Sequence, residues 1–86
     1  MFEEVKDVVE VRVVEKYRLF LRFEDGKAGE IDLETLIKFE GIFEPLKKLE
    51  YFATVTVDPE LGTICWDNGA DISPEFLYIN LKSDNN

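Results

Sequence analysis

Polar and apolar residues alternate with a period of two through the first third of the chain. Val9, Val11 and Val13 alternate with Glu10 and Arg12, and Tyr17, Leu19, Leu21 and Phe23 alternate with Arg18, Phe20 and Arg22. Successive strand side chains point to opposite faces, so this period predicts two strands with one face buried and one wet. Glu15-Lys16 is the turn expected between them. Asp25-Gly26 is a stronger turn signal, because glycine accepts the positive φ that tight hairpin turns need. A short third strand carrying Ile31 completes an antiparallel meander.

The period then changes. Asp32 can cap a helix by accepting from the free amides of its first turn. Leu33, Leu36 and Ile37 fall on one helical face, and Gly41 is the expected stop. Pro45 suits the opening of a second short helical turn, with Leu46, Leu49 and Phe52 as its apolar stripe and Lys47 and Lys48 in water. Strand patterning returns at Ala53, Val55 and Val57, alternating with Thr54 and Thr56. Asp58-Pro59-Glu60-Leu61-Gly62 reads as a turn, and Thr63 to Trp66 as the returning strand. Asn68-Gly69 breaks that strand. Ser73-Pro74-Glu75 opens a last helix, with Ser as cap, Pro in the first turn and Glu at the positive end of the dipole. Phe76 and Leu77, joined by Ile79 and Leu81, are expected to dock it. The predicted fold is α+β: a three-strand meander, a short helical segment, a β-hairpin and a short C-terminal helix.

Composition sharpens this picture. The chain has 86 residues, room for one domain, expected over 1–82 with a disordered polar tail at 83–86. Hydrophobic residues make up 45%, and seven Phe, three Tyr and one Trp argue against disorder elsewhere. The net charge is −9, from 10 basic and 19 acidic residues. Nucleic acid and anionic membrane surfaces are therefore disfavoured as partners, since both are bound through clustered cations. A basic protein partner suits the charge, which also serves solubility. The single cysteine, Cys65, rules out an internal disulfide framework. No apolar run resembles a signal peptide or a membrane span, so the cytoplasm is the expected location.

No catalytic constellation can be assembled from these residues. Histidine is absent, which removes the usual general base and every Ser-His or Cys-His pair. Cys65 lies in a strand between Ile64 and Trp66, where a small buried hydrophobe is expected and not an activated thiol. A metal would have to be calcium or magnesium held by oxygens. Asp67, Asn68 and Asp71, beside Trp66, form the densest candidate loop, but their spacing does not match an EF-hand. The plainer expectation is that Asp67 and Asp71 hydrogen-bond the backbone of a tight loop. No cofactor is expected.

One further feature suits binding. Phe20 lies on the polar face of its strand between Arg18 and Arg22, and Arg12 is placed on the same face of the neighbouring strand. An aromatic side chain among guanidinium groups matches the composition of interface cores. The alternatives are that Phe20 is a lone surface apolar residue, or is covered by Phe2 or the C-terminal segment.

Three stretches make the chain resemble a family of bacterial and archaeal proteins known as domain of unknown function 2442. They are Leu21-Arg22-Phe23-Glu24-Asp25-Gly26 with Ile31-Asp32-Leu33, Ile42-Phe43-Glu44-Pro45-Leu46 leading to Phe52, and the run from Val57 to Glu75 containing Trp66-Asp67-Asn68-Gly69-Ala70-Asp71-Ile72-Ser73-Pro74. The resemblance implies a small α+β fold and supplies no catalytic residues. Some relatives continue into a helix-turn-helix domain, for which this chain is too short. Others are encoded beside a second small protein, which implies an antitoxin-like member of a two-protein system. The expected function is a non-enzymatic protein-interaction module with a small basic partner. Self-pairing into a homodimer through the Phe20 face or a strand edge is also expected to be open to it. The alternative is a small-ligand or hard-metal site at loop 66–71.

Overall fold

The computed structural model describes residues 6–82. Strands β1 (Val8–Glu15), β2 (Arg18–Phe23) and β3 (Ala28–Asp32) form the antiparallel meander in the order β1-β2-β3. Helix α1 (Leu33–Leu36), a 3-10 helix (Gly41–Lys47) and helix α2 (Leu49–Phe52) follow. Strands β4 (Thr56–Asp58) and β5 (Thr63–Cys65) pair as a hairpin, and α3 (Pro74–Asn80) is the last helix among the described residues. The architecture is the α+β arrangement that the periodicity predicts. The Cα radius of gyration is 12.4 Å, against the roughly 12 Å expected of a compact chain of this length.

The inner face of the meander carries the core. Leu19, Leu21 and Phe23 alternate along β2 and are fully buried, with Ile31 from β3 and Val8 from β1 beside them. Leu33, Leu46, Phe52, Ile64, Trp66, Ile72 and Leu77 cover that face from the helices and the second hairpin. Four aromatic rings meet where the layers join. Tyr17 packs edge-on against both Phe39 and Phe52, at 5.0 and 5.1 Å between centroids, and Phe52 lies 5.9 Å from Trp66. Such tilted and edge-to-face pairs add about 0.5–1.5 kcal/mol each beyond the area they bury.

Local chemistry sets the element ends. Asp32 Oδ1 accepts from Glu34 N, and Ser73 Oγ accepts from Glu75 N and Phe76 N, so both expected N-caps form. Asp58 Oδ1 accepts from Glu60 N, and Gly62 N returns to Asp58 O, which closes the β4–β5 turn. Helix α3 is tied to the β2–β3 hairpin by Tyr78. Its hydroxyl donates to Asp25 Oδ2 at 2.6 Å, and its ring packs edge-on against Phe23. That hydrogen bond, with one from Lys27 N, holds the Asp25 carboxyl below its ordinary pKa.

Several expected details shift. The first turn falls at Lys16 and Tyr17, one residue late, with Lys16 at a φ of 48°. A bulge between Val13 and Glu15 moves the ladder so that Glu15 pairs with Arg18, which frees Tyr17 to turn onto Phe39 and Phe52. A second bulge, between Val8 and Glu10, puts Val8 and not Val9 into the core. Val9 and Val13 stay exposed because β1 is an edge strand, met beyond its start by the second hairpin through Val8 N and Gly62 O and paired with no further strand. Helix α1 ends before Gly41, because Ile37 is already extended; Gly41 opens the next helix, and Pro45 lies inside it. Leu49 faces solvent instead of joining the stripe of Leu46 and Phe52. Strand β4 starts only at Thr56, since Ala53 and Thr54 finish the turn after α2. Ile79 is 72% exposed, because two residues along a helix from the buried Leu77 is nearly the opposite side. The expected tail at 83–86 lies outside the described residues.

The two edges of the meander differ. Beyond β3, Glu30 and Lys82 exchange both backbone hydrogen bonds, at 3.0 and 2.9 Å, so the end of the described chain caps that edge. The close approach needs Gly29, where an added Cβ would stand 2.2 Å from Lys82 O. Gly29→Ala is therefore expected to force the bridge open and cost about 1–3 kcal/mol. Urea denaturation should show the loss, and amide exchange at Glu30 and Lys82 should speed up. Parental stability with both amides still protected would contradict the constraint.

Candidate functional site

Period-two alternation sends Arg18, Phe20 and Arg22 of β2 to the outer face of the meander. The register sets Arg12 opposite Phe20, Glu10 opposite Arg22 and Glu30 opposite Phe20 from the other side. The structure therefore gathers three of the expected binding residues, with Arg12, on one surface. Phe20 is half-buried. The Arg12 guanidinium carbon lies 4.4 Å from its ring centroid, a cation–π contact.

The arginines on this face are matched by carboxylates. Arg22 donates to Glu10 Oε1 through Nε at 3.0 Å and also through its terminal nitrogen. Arg12 Nε stands 3.6 Å from Glu10 Oε2, and Arg18 lies between Glu15 and Glu30 at 3.9 and 4.0 Å. The hydrogen bond from Arg22, followed by the charges of Arg22 and Arg12, holds the Glu10 carboxyl below its ordinary value. Every ion pair among the described residues lies here. Glu10, Glu15 and Glu30 were not singled out by sequence reasoning. The signal was present for Glu10, which alternates in step with Arg12. Glu15 and Glu30 meet Arg18 only through pairing across strands.

Beside this face, Arg18, Glu30, Asp32, Thr35, Asn80 and Lys82 line a groove of about 420 Å³. Its two cations and two carboxylates leave it without a net charge that would select an ion.

The second candidate, loop 66–71, has a different character. Trp66 is buried, and its Nε1 donates to Phe52 O at 3.0 Å, so the indole is a core side chain with a satisfied polar tip. Asn68 organises the loop. Its Oδ1 accepts from Ala70 N at 3.1 Å, its Nδ2 donates to Ile42 O at 2.9 Å, and its backbone N donates to Tyr51 Oη at 3.2 Å. Gly69 has a φ of 94°, a conformation that side chains disfavour. The backbone-binding role expected of Asp67 and Asp71 thus falls to Asn68, because the amide can donate to the 3-10 helix and accept from its own loop at once. Asp67 and Asp71 are exposed, and among the described residues their carboxylates make no hydrogen bond. Asp71 pairs with Cys65 through backbone alone. Among the described residues no group of three metal-ligating side chains comes together. Cys65 is partly buried, its sulfur 3.8 Å from Thr56 Oγ1. No helix among them is long and apolar enough to cross a membrane.

Two outcomes follow for these groups. Asn68→Ala leaves the Ala70 amide and the Ile42 carbonyl without their partner. It should lower stability by about 1–3 kcal/mol in chemical denaturation, and a melt indistinguishable from the parent would contradict the role given to Asn68. Glu10 titrates below its unfolded value, so its contribution is complete above the ordinary glutamate range and fades as pH falls through the folded pKa. In Arg22→Gln the Glu10 carboxyl should return toward its ordinary value in an NMR titration. An unmoved titration would mean that Arg22 is not the cause.

No curated protein and no solved structure matches the chain. A family model described as protein of unknown function (DUF2442) matches residues 8–83, nearly the whole chain, and the protein belongs to that family.

Proposed function

We propose that the protein is a non-enzymatic interaction module whose partner is a small basic protein. The observation that carries this reading is the distribution of charge. On the outer face of the meander Arg12, Arg18 and Arg22 are offset by Glu10, Glu15 and Glu30. The excess that gives a net charge of −9 therefore lies in the rest of the chain. There, Asp67 and Asp71 stand exposed on a loop that Asn68 and Trp66 hold rigid. Fixed, unpaired carboxylates steer a cationic surface and lose little entropy when it docks. The loop's own donors and acceptors are used in keeping its shape, which supports a presenting role over a chemical one. The antitoxin-like member of a bacterial two-protein system is the biological form this reading takes.

The test is capture of partners by the tagged protein from native lysate at low and at high salt, with the bound proteins identified. One stoichiometric basic partner, released as salt screens the contact, is expected. The double variant Asp67→Lys, Asp71→Lys should then bind it about tenfold more weakly, chiefly through slower association. No basic partner under either condition, or a partner indifferent to both substitutions, would overturn the reading.

A further inference from the structure

The uncapped edge of the meander is β1. Phe23 N donates to Lys27 O and Phe23 O accepts from Gly26 N, so the backbone of Phe23 faces β3. Alternation turns the backbone groups of Arg22 and Phe20 toward β1, where they meet Glu10 and Arg12. The N–H and C=O groups of Val11 and Val13 consequently point away from the sheet. Among the described residues, 9–15 make no backbone hydrogen bond beyond the β1–β2 ladder. Val11 and Val13 share the inner face with their partners Leu21 and Leu19, yet Val13 is 38% exposed. These are apolar side chains on the core side of a sheet that stops one strand too early.

We propose that a second copy of the chain completes this edge, with β1 pairing antiparallel to β1 about a two-fold axis at Val11. In this register Val11 faces Val11 of the second copy, and Glu10 faces Arg12 twice over. The charges select it. A shift of two residues one way sets Arg12 against Arg12, and a shift the other way sets Glu10 against Glu10. Like charges directly opposite one another are destabilising. The ends of the pairing are set too: Val8 N is already held by Gly62 O at 2.9 Å, and a bulge follows Val13. The product is a continuous six-stranded sheet, three strands from each copy, with Val11 meeting Val11 on its inner side. The assembly is isologous and closed, so it ends at two copies. It does not depend on the basic-partner reading, and salt separates the two. Copies that each carry −9 repel, so salt should not weaken the dimer, whereas it releases a basic partner.

Sedimentation velocity of the full chain over a range of concentration, with amide exchange on the same samples, tests this. A reversible dimer is expected that survives high salt, with exchange at Val11 and Val13 slowing as it forms. Exchange at Glu10 and Arg12, already inside the ladder, should stay unchanged. Val11→Pro removes an amide that β2 does not use, and should give a folded monomer. Arg12→Glu sets two like-charged pairs opposite each other and should weaken dimerisation about tenfold. If Val11→Pro does not fold, Arg12→Glu and the exchange pattern decide. A parent that stays monomeric at NMR concentrations, a dimer that leaves Val11 exchange unaltered, or an Arg12→Glu protein that dimerises like the parent would each overturn the proposal.

Discussion

The packing of Phe52 holds the two halves of this small fold together. Its ring meets Tyr17, which ends the first turn of the meander, Phe39 from the linking segment, and Trp66 at the end of the second hairpin. Its carbonyl accepts the indole N–H of Trp66. One residue on a single-turn helix thus joins both sheets by ring contacts and by a directional bond. Helices this short are not stable by themselves, so their positions follow from where Phe52, Leu46 and Leu33 are buried. The shape of loop 66–71 follows in turn, since Trp66 is its anchored end and Tyr51, next to Phe52, supplies a hydroxyl to Asn68.

Edge protection is uneven for a related reason. A three-stranded sheet has two edges, and unpaired strand edges invite association. The segment after α3 covers β3, and it can approach only because Gly29 has no side chain. The β4–β5 hairpin reaches β1 through a single bond to Val8 and leaves the remainder open. Bulges and charges on β1 are the usual devices against uncontrolled pairing. Here they also leave one register in which opposite charges meet.

Charge follows the same division. Where strands lie side by side, arginine and glutamate pair across the outer face and Phe20 sits beneath a guanidinium. Exposed pairs of this kind contribute little to stability; their effect is to make the face neutral. The negative excess lies outside this face, with Asp67 and Asp71 exposed on their loop. The outer face of the meander is thus neutral and aromatic, and the acidic side chains of Asp67 and Asp71 lie apart from it.

The amino-acid sequence by itself determined the order and kind of the elements, because period-two alternation, the caps Asp32 and Ser73 and the turns at Asp25-Gly26 and Asp58–Gly62 are local signals acting over a few residues. It also placed Arg18, Phe20 and Arg22 on one face and assigned the chain to its family by the run around Trp66. The tertiary structure decided what depends on contacts distant in sequence. Two bulges, set by how β1 meets β2, moved Val8 inward and Val9 outward and brought Tyr17 to Phe52. Trp66 became a core residue and Asn68 the organiser of its loop, because Phe52 O and Ile42 O lie 14 and 26 residues away in the chain. Asp67 and Asp71 remained in water because Asn68 already satisfied the backbone they were expected to bind. Alternation says which face a side chain takes, but burial depends on whether another element covers that face, and only the folded chain supplies that cover.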